Sequence, residues 1–215
     1  DLYCFIDGKW RFVNSAQPSG KTNQWQIISG MNAAEREYML YLPLYDGIHS
    51  LQIGVAAPSH IGQPSLPYPD TRKPIIFYGS SITQGACASR PGMAATNLIG
   101  RKLNVETINL GFSGNAFIDY EVAEMMAHVD ASAYVLDYVP NASPGQILEK
   151  TEKFVRILRE KHPDGPLIFV EDPIFPHSKF DLRMAKEIKD KNDAMNQAFS
   201  SLKKQGLKKI YLVKG

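Results

Sequence analysis

The second part of the chain alternates strand-like with helix-like segments, and this alternation constrains the fold more than any other feature. Near-continuous apolar runs predict strands at 74–79, 105–110, 133–138, 166–171 and 207–213. Helix candidates lie between them, near 92–103, 119–128, 144–161 and 184–205. Strands that alternate with helices form a parallel sheet covered on both faces. Residues 74–215 are therefore predicted to form a three-layer α/β/α domain around a five-stranded parallel sheet.

Residues 1–60 have a different pattern and predict a small β-rich domain. Short apolar runs, as at 25–28, 38–42 and 51–55, are separated by turn signals such as Asp7-Gly8 and Asp46-Gly47. Residues 61–73 are rich in proline, which suits a linker that runs over a surface. The predicted order is a β-rich domain, a linker and the α/β domain.

Composition excludes several classes of function. The 215 residues carry a formal net charge of only +2 with interspersed signs, which argues against nucleic-acid binding. No apolar run approaches the roughly 18 residues of a membrane span. Two cysteines, Cys4 and Cys87, are too few for a disulfide framework. Histidine and acidic residues do not cluster at ligand spacing, so we expect neither a metal nor another cofactor. Oligomeric state is left open.

Polar or glycine-rich segments follow three of the predicted strands. They are Gly79-Ser80-Ser81, the loop 109–115 and the segment 137–141 that ends in Asn141. Because the carboxyl ends of parallel strands share one edge of the sheet, these segments are expected to meet there. A serine hydroxyl, backbone N–H groups of a glycine loop and a side-chain amide can together stabilise the oxyanion of an acyl-transfer intermediate.

These three segments resemble the ordered blocks of the SGNH/GDSL hydrolases, which are serine esterases with a flavodoxin-like fold. The resemblance covers residues 74–213 and implies that Ser81 is the nucleophile. It matches the glycine of the second block to Gly114, with Gly111 as an adjacent possibility, and the asparagine of the third block to Asn141. By this resemblance the N–H groups of Ser81 and Gly114 and the side-chain NH₂ of Asn141 form the oxyanion hole.

The segment 81–93 further resembles a subgroup that carries an N-terminal β-sandwich domain. Residues 1–60 would be a partial version of that domain, and some members of the wider group remove acyl or acetyl groups from carbohydrates. The resemblance also suggests a secreted or periplasmic location. Ser80 departs from the family by replacing an aspartate, and Val139 and Ala142 replace a glycine and an aspartate of the third block. These departures affect the expected substrate preference more than the reaction type.

The family's Asp-x-x-His block, which supplies the general base and its orienting carboxylate, is expected to follow the fifth strand, beyond Gly215. Asp46-Gly47-Ile48-His49 matches the spacing but precedes Ser81 and is predicted to be a hairpin turn. His177 lies on the active edge and is interpreted as an exposed loop residue, although it could touch substrate. The remaining histidines are assigned to helix ends and the linker: His60, His128 and His162.

The sequence predicts a serine esterase that forms an acyl-enzyme on Ser81, with a small-molecule or carbohydrate ester as substrate. Without the missing block the chain should be nearly inactive. Two other functions stay open: an acyltransferase with the same chemistry, and a non-catalytic carbohydrate-binding protein. No Gly-Lys-Ser/Thr follows the first strand, which excludes a P-loop. A flavodoxin-like phosphate site is less favoured, because Ser80, Ser81 and Thr83 match a flavin loop only loosely and because Gly114 and Asn141 accompany Ser81.

Overall fold

The computed structural model describes residues 1–66 and 72–215, so part of the predicted linker, residues 67–71, lies outside the described residues. The second part of the chain forms the predicted five-stranded parallel sheet, with strand order β5-β4-β6-β7-β8. Its strands are β4 (Ile75–Gly79), β5 (Thr107–Gly111), β6 (Ala133–Asp137), β7 (Leu167–Val170) and β8 (Ile210–Val213). Strand order reverses on either side of β4, which is where open α/β sheets place their ligand sites.

Five α-helices accompany the sheet: α1 (Ser81–Gln84), α2 (Ala95–Leu103), α3 (Tyr120–Ala127), α4 (Pro144–Lys161) and α5 (Leu182–Lys204). Short 3₁₀ turns add Pro91–Met93 and Pro176–Lys179. The chain moves across the sheet in one direction from β4 to β5, and in the opposite direction in the three later connections, from β5 to β6, β7 and β8. Right-handed crossovers therefore place α2 on one face and α3, α4 and α5 on the other. The predicted three-layer α/β/α fold is confirmed.

Local sequence explains where the long helices begin and end. Ser143 and Gln146 form a reciprocal capping box at the start of α4, and Pro144 occupies its first turn. The Asp181 carboxylate accepts hydrogen bonds from two backbone N–H groups at the start of α5. After α5, Gly206 adopts a φ of +85°, which stops the helix.

The core lies between the sheet and the layer of α3, α4 and α5. Its largest fully buried side chains include Tyr78, Tyr134 and Phe169 from strands, Tyr138 directly after β6, and Phe154 from α4. The Phe154 ring stacks on Tyr78 with centroids 5.3 Å apart. Burial on this scale fixes β4 under α4, and so fixes the position of the strand that leads to Ser81.

The N-terminal segment forms one three-stranded antiparallel sheet of β1 (Leu2–Ile6), β2 (Lys9–Asn14) and β3 (Tyr38–Leu40), in the order β2-β1-β3. Asp7 and Gly8 connect β1 to β2 with φ values of +51° and +73°, as a two-residue hairpin loop requires. The strands predicted at 25–28 and 51–55 are wrong. Leu51, Ile53 and Val55 are more than half exposed, and their backbone forms no ladder.

The hairpin predicted at Asp46-Gly47 is also wrong. Residues 44–46 bend, but β3, which precedes them, pairs with β1, and 51–55, which follows them, is not a strand, so the two segments do not form a hairpin. The small sheet nonetheless contacts the α/β domain through polar and aromatic groups. The Asp1 carboxylate accepts a hydrogen bond from Gly92 N over 2.8 Å, and the Arg101 guanidinium lies 4.4 Å from the centre of the Tyr3 ring. A Cβ at Gly92 would lie 2.4 Å from the Tyr3 ring, so only glycine fits there.

Candidate active site

Ser81 lies at the carboxyl end of β4, the edge on which it is expected from the sequence. The strand ends at Gly79, buried Ser80 is the N-cap, and partly exposed Ser81 is the first residue of α1. The Ser80 hydroxyl accepts a hydrogen bond from Ile82 N over 3.2 Å. Serine and aspartate cap helices equally well, so Ser80 can perform the structural part of the role of the aspartate it replaces.

Two glycines allow α1 to lie directly on the sheet edge. Gly79 and Gly111 are paired across β4 and β5. A Cβ at Gly79 would lie 2.2 Å from Thr83 Oγ1, and a Cβ at Gly111 would lie 2.2 Å from Gln84 N. Any larger residue would therefore lift the helix that begins with Ser81 away from the strand ends.

The loop that follows β5 is tied to α1 at several points. Phe112 N donates to Gly79 O over 2.8 Å, and Ser113 N donates to Gln84 Oε1 over 2.9 Å. Gly114 comes next, with φ +70°, a conformation that glycine adopts without strain. Among the described residues, no atom lies within 4 Å of the position a Cβ would occupy at Gly114, and the Gly114 N–H donates no hydrogen bond. Gly111, the adjacent alternative, instead donates its N–H to Asn109 Oδ1 over 2.9 Å.

Asn141 follows β6 and reaches the same loop. Its Oδ1 accepts a hydrogen bond from Ala116 N over 3.3 Å. This contact directs the oxygen toward the loop, and within the described residues the NH₂ group of Asn141 donates no hydrogen bond. The structure thus brings Ser81, Gly114 and Asn141 to three neighbouring segments at one edge of the sheet, and leaves two candidate donors free.

A buried carboxyl group supports α1 from below. Thr83 Oγ1 donates to Asp137 Oδ2 over 2.5 Å, and Ser80 N donates to Asp137 O over 3.2 Å. Burial raises the pKa of the Asp137 carboxyl to about 6, the Thr83 hydrogen bond opposes that rise, and the negative charge of Asp172 adds to it. Asp137 is therefore a titratable contact directly beneath α1, and no local pattern in the sequence indicates this position.

Asp172 and Lys191 form a second buried pair beside this edge. Burial raises the pKa of Asp172, while the positive charge of Lys191 opposes the rise. The Lys191 Nζ lies 4.0 Å from Asp172 Oδ2 and donates to Pro140 O over 3.1 Å, which ties α5 to the segment just before Asn141. The sequence does not indicate this contact, because Lys191 is one of many charged residues in the middle of α5.

Within the described residues no histidine ring is hydrogen-bonded to Ser81. His162 and His128 are the C-caps of α4 and α3, and the His162 ring contacts Ala127 O over 2.9 Å. His177 is exposed in a 3₁₀ turn after β7, and His49 and His60 are exposed in the N-terminal segment. No helix of the described residues has both the length and the apolar character that crossing a bilayer requires.

Comparisons with known proteins follow the same division of the chain. Residues 72–215 match the family described as GDSL-like lipase/acylhydrolase. Residues 1–61 match the family described as the N-terminus of an esterase of SGNH hydrolase type. Comparison with curated proteins gave no match.

Among solved structures, a protein assigned as a GDSL-like lipase from Bacteroides ovatus is 42% identical, with a TM-score of 0.94 over 100% of this chain. This chain spans only 63% of the length of that protein. A salicylyl-acyltransferase from a tetracycline biosynthetic pathway is 20% identical with a TM-score of 0.59, over 67% of this chain and 43% of its own.

A family 2 carbohydrate esterase with a carbohydrate-binding domain, from Corynascus thermopiles (Myceliophthora fergusii), is 15% identical with a TM-score of 0.52, over 71% of this chain and 58% of its own. At such low identity these last two similarities describe the fold alone. The match over residues 72–215 and the 42% identity to the Bacteroides protein show more than the fold. The chain belongs to the GDSL-like lipase/acylhydrolase family.

Proposed function

We propose that the protein is a serine esterase that hydrolyses acyl esters through an acyl-enzyme on Ser81. The observation that carries the proposal is that Ser81, Gly114 and Asn141 follow three neighbouring strands at one sheet edge, where the described residues accept no hydrogen bond from the Gly114 N–H or the Asn141 NH₂. Three such groups provide a nucleophile and the donors that an oxyanion needs.

In the proposed reaction, Ser81 Oγ attacks the ester carbonyl carbon and loses its proton to a general base. The carbonyl oxygen becomes an oxyanion and accepts hydrogen bonds from the N–H groups of Ser81 and Gly114 and from the Asn141 NH₂. Collapse of this intermediate breaks the bond to the alcohol, which leaves with the proton from the base. Water then attacks the acyl-enzyme by the same route and releases the acid.

We place the general base and its orienting aspartate in the Asp-x-x-His block that follows the fifth strand of the family's sheet. Strand β8 ends on the same edge as Ser81. Glu171, which is buried there, accepts hydrogen bonds from Lys214 Nζ over 2.8 Å and from Gly215 N over 3.2 Å. The Glu171 contacts therefore direct the chain after β8 along this edge.

The proposed substrate class is an acetyl ester of a carbohydrate. Support comes from the SGNH-type resemblance, in which some members remove acetyl groups from carbohydrates. The residues at the site do not by themselves select the alcohol, so a carbohydrate ester has to be compared directly with simple aryl esters.

The test compares the 215-residue chain and the full product of its natural gene, each with and without Ser81→Ala. Hydrolysis of p-nitrophenyl acetate is the first readout, followed by acetyl release from an acetylated oligosaccharide. We expect Ser81→Ala to lower kcat of the active protein by roughly 10³-fold or more. His49→Ala and His177→Ala serve as controls and are expected to leave kcat unchanged.

Turnover that survives Ser81→Ala would contradict the proposal. A large loss in the His177→Ala or His49→Ala variant would move the base to that residue and contradict its placement after β8. Hydrolysis absent from every protein, together with saturable binding of the oligosaccharide, would favour a carbohydrate-binding protein. Faster acyl transfer to an added alcohol than to water would favour an acyltransferase.

A further inference from the structure

Gln84, the last residue of α1, hydrogen-bonds to two parts of the protein that are distant in sequence. Its Nε2 donates to the Leu44 carbonyl over 3.1 Å. Its Oε1 accepts from Ser113 N over 2.9 Å. Gln84 follows Ser81 by three residues in the chain. Its side-chain amide therefore connects the N-terminal segment to the loop that carries Gly114.

Close packing fixes the position of this amide. The backbone of Gln84 lies so near β5 that a Cβ at Gly111 would be 2.2 Å from Gln84 N and 2.5 Å from its Cα. On the other side, a Cβ at Gly85 would be 2.6 Å from Leu44 Cδ1. The backbone at Gln84 and Gly85, which carries this amide, is thus packed between β5 and the N-terminal segment.

The loop 112–116 depends on hydrogen bonds for its position near the oxyanion site. Gly114 has no side chain and no atoms packed around the position of a Cβ. Three hydrogen bonds tie the loop to other segments: Phe112 N to Gly79 O, Ser113 N to Gln84 and Ala116 N to Asn141. Within the loop, Asn115 donates to Phe112 O and to Ser113 O. Of the three contacts with other segments, only the one with Gln84 acts on the residue directly before Gly114.

We infer that Gln84 is a positioning residue of the proposed esterase, which sets the distance between the Gly114 N–H and Ser81 and joins both to the N-terminal segment. This inference rests on the proposed function. The orientation of the amide follows from its partners, since the Leu44 carbonyl requires a donor and the Ser113 N–H requires an acceptor. Residues near Leu44 would thus influence catalysis without touching the substrate.

The geometry of an oxyanion hole is sensitive to small displacements, because a donor stabilises charge only within hydrogen-bond distance of the developing oxyanion. Losing the Ser113 contact should displace the Gly114 N–H from the developing oxyanion. That displacement should weaken stabilisation of the transition state more than it weakens substrate binding. The expected signature is a fall in kcat with little change in KM.

The experiment uses the full-length natural protein and three variants. Gln84→Met removes both hydrogen bonds at similar volume, and Gln84→Glu keeps an acceptor for Ser113 N but loses the donor to Leu44. Gln205→Met is the matched control, because Gln205 also bridges two groups, Glu152 and Arg156, but lies before β8 at the opposite edge of the sheet.

We expect Gln84→Met to lower kcat by roughly 10- to 100-fold with KM within about twofold, a size typical of misplaced catalytic groups. Gln84→Glu should lower kcat by a smaller factor, and Gln205→Met should leave kcat unchanged. Hydrogen exchange at residues 112–116 should become at least about tenfold faster in Gln84→Met and remain unchanged in Gln205→Met.

Unchanged kcat in a folded Gln84→Met variant, or a fall equal to that of Gln205→Met, would overturn the inference. If Gln84→Met does not fold, Gln84→Ser removes the same two contacts with a smaller side chain, and unchanged kcat in that variant together with unchanged exchange at 112–116 would overturn the inference. Turnover that is independent of Ser81 would contradict the proposed function and not this inference. In that case hydrogen exchange at 112–116 still reports whether Gln84 holds the loop.

Discussion

The N-terminal segment and the α/β domain use similar apolar, β-branched runs, but only one of them converts all its runs into strands. The runs that form β4 to β8 are hydrogen-bonded to neighbours, and β4 and β6 are almost entirely buried. In the N-terminal segment, 51–55 is exposed and is not a strand, although it alternates apolar with small or polar residues. A strand thus requires a pairing partner and a covering layer as well as a suitable sequence.

The two regions also differ in what they contribute to the candidate site. The α/β domain supplies Ser81, Gly114 and Asn141 from three strand ends that the sheet register fixes relative to one another. The N-terminal segment supplies backbone groups, chiefly the Leu44 carbonyl on Gln84. This division predicts that equivalent substitutions will have large effects in one region and small effects in the other.

The largest contrast is expected in stability. Phe154→Ala removes a fully buried ring that stacks on Tyr78, and it should lower the free energy of unfolding by about 3–5 kcal/mol. Ile53→Ala removes a side chain that is 62% exposed, and it should change that free energy by less than about 0.5 kcal/mol. Urea denaturation measures both variants. A cost above about 2 kcal/mol for Ile53→Ala would mean that residues 51–55 are packed in the native protein.

A second contrast compares one asparagine from each region. Asn141→Ala removes the proposed oxyanion donor and should lower kcat by roughly 10²–10³-fold with a smaller change in KM. Asn14→Ala removes a comparable side-chain hydrogen bond, from Asn14 Nδ2 to Ile27 O over 2.8 Å, and should leave kcat unchanged. Steady-state kinetics of ester hydrolysis tests the pair. Equal kcat values for Asn141→Ala and the unchanged enzyme would remove Asn141 from the proposed mechanism.

The smallest contrast concerns the dependence of stability on pH. Because burial raises the pKa of Asp137 from 3.8 to about 6, the folded state binds more protons than the unfolded state between those values. Stability contributed by the protonated carboxyl is therefore present at low pH and lost as pH rises through about 6. Asp137→Asn should remove this loss. Relative to the unchanged protein, its free energy of unfolding should therefore rise by about 1–3 kcal/mol between pH 4 and 7.

Asp46→Asn is the control for that measurement, because Asp46 is an exposed carboxyl of the N-terminal segment. We expect its unfolding curves to follow those of the unchanged protein at every pH. Denaturation midpoints of the three proteins, collected in steps from pH 4 to 7, give the comparison. A constant difference between Asp137→Asn and the unchanged protein would show that Asp137 does not titrate in this range.

Much of the α/β domain could be predicted from local patterns. The helix predicted at 144–161 has the same bounds in the structure, because Ser143, Pro144 and Gln146 form its start in adjacent sequence. Strand bounds differ from the predictions by at most three residues, since the ends of the apolar runs depend on pairing. The family and fold were also expected from the three polar segments at strand ends.

The supporting contacts of the site could not be predicted in the same way. Thr83 and Asp137 are 54 positions apart, and Gln84 is 40 positions from Leu44 and 29 from Ser113. Periodicity and turn signals describe neighbours in sequence, so they contain no information about which amide faces which carbonyl across the fold. The roles of Ser81, Gly114 and Asn141 stay predictions until the variants are measured.

The sequence by itself determined the alternating α/β order, the positions of the helix caps and the three segments that end at the active edge. These features depend on periodicity and on short-range backbone preferences, which are properties of consecutive residues. Only the tertiary structure decided that residues 51–55 would not form a strand and that Gln84 would join Leu44 to the Gly114 loop. Both outcomes depend on which surfaces meet, and long-range packing determines that.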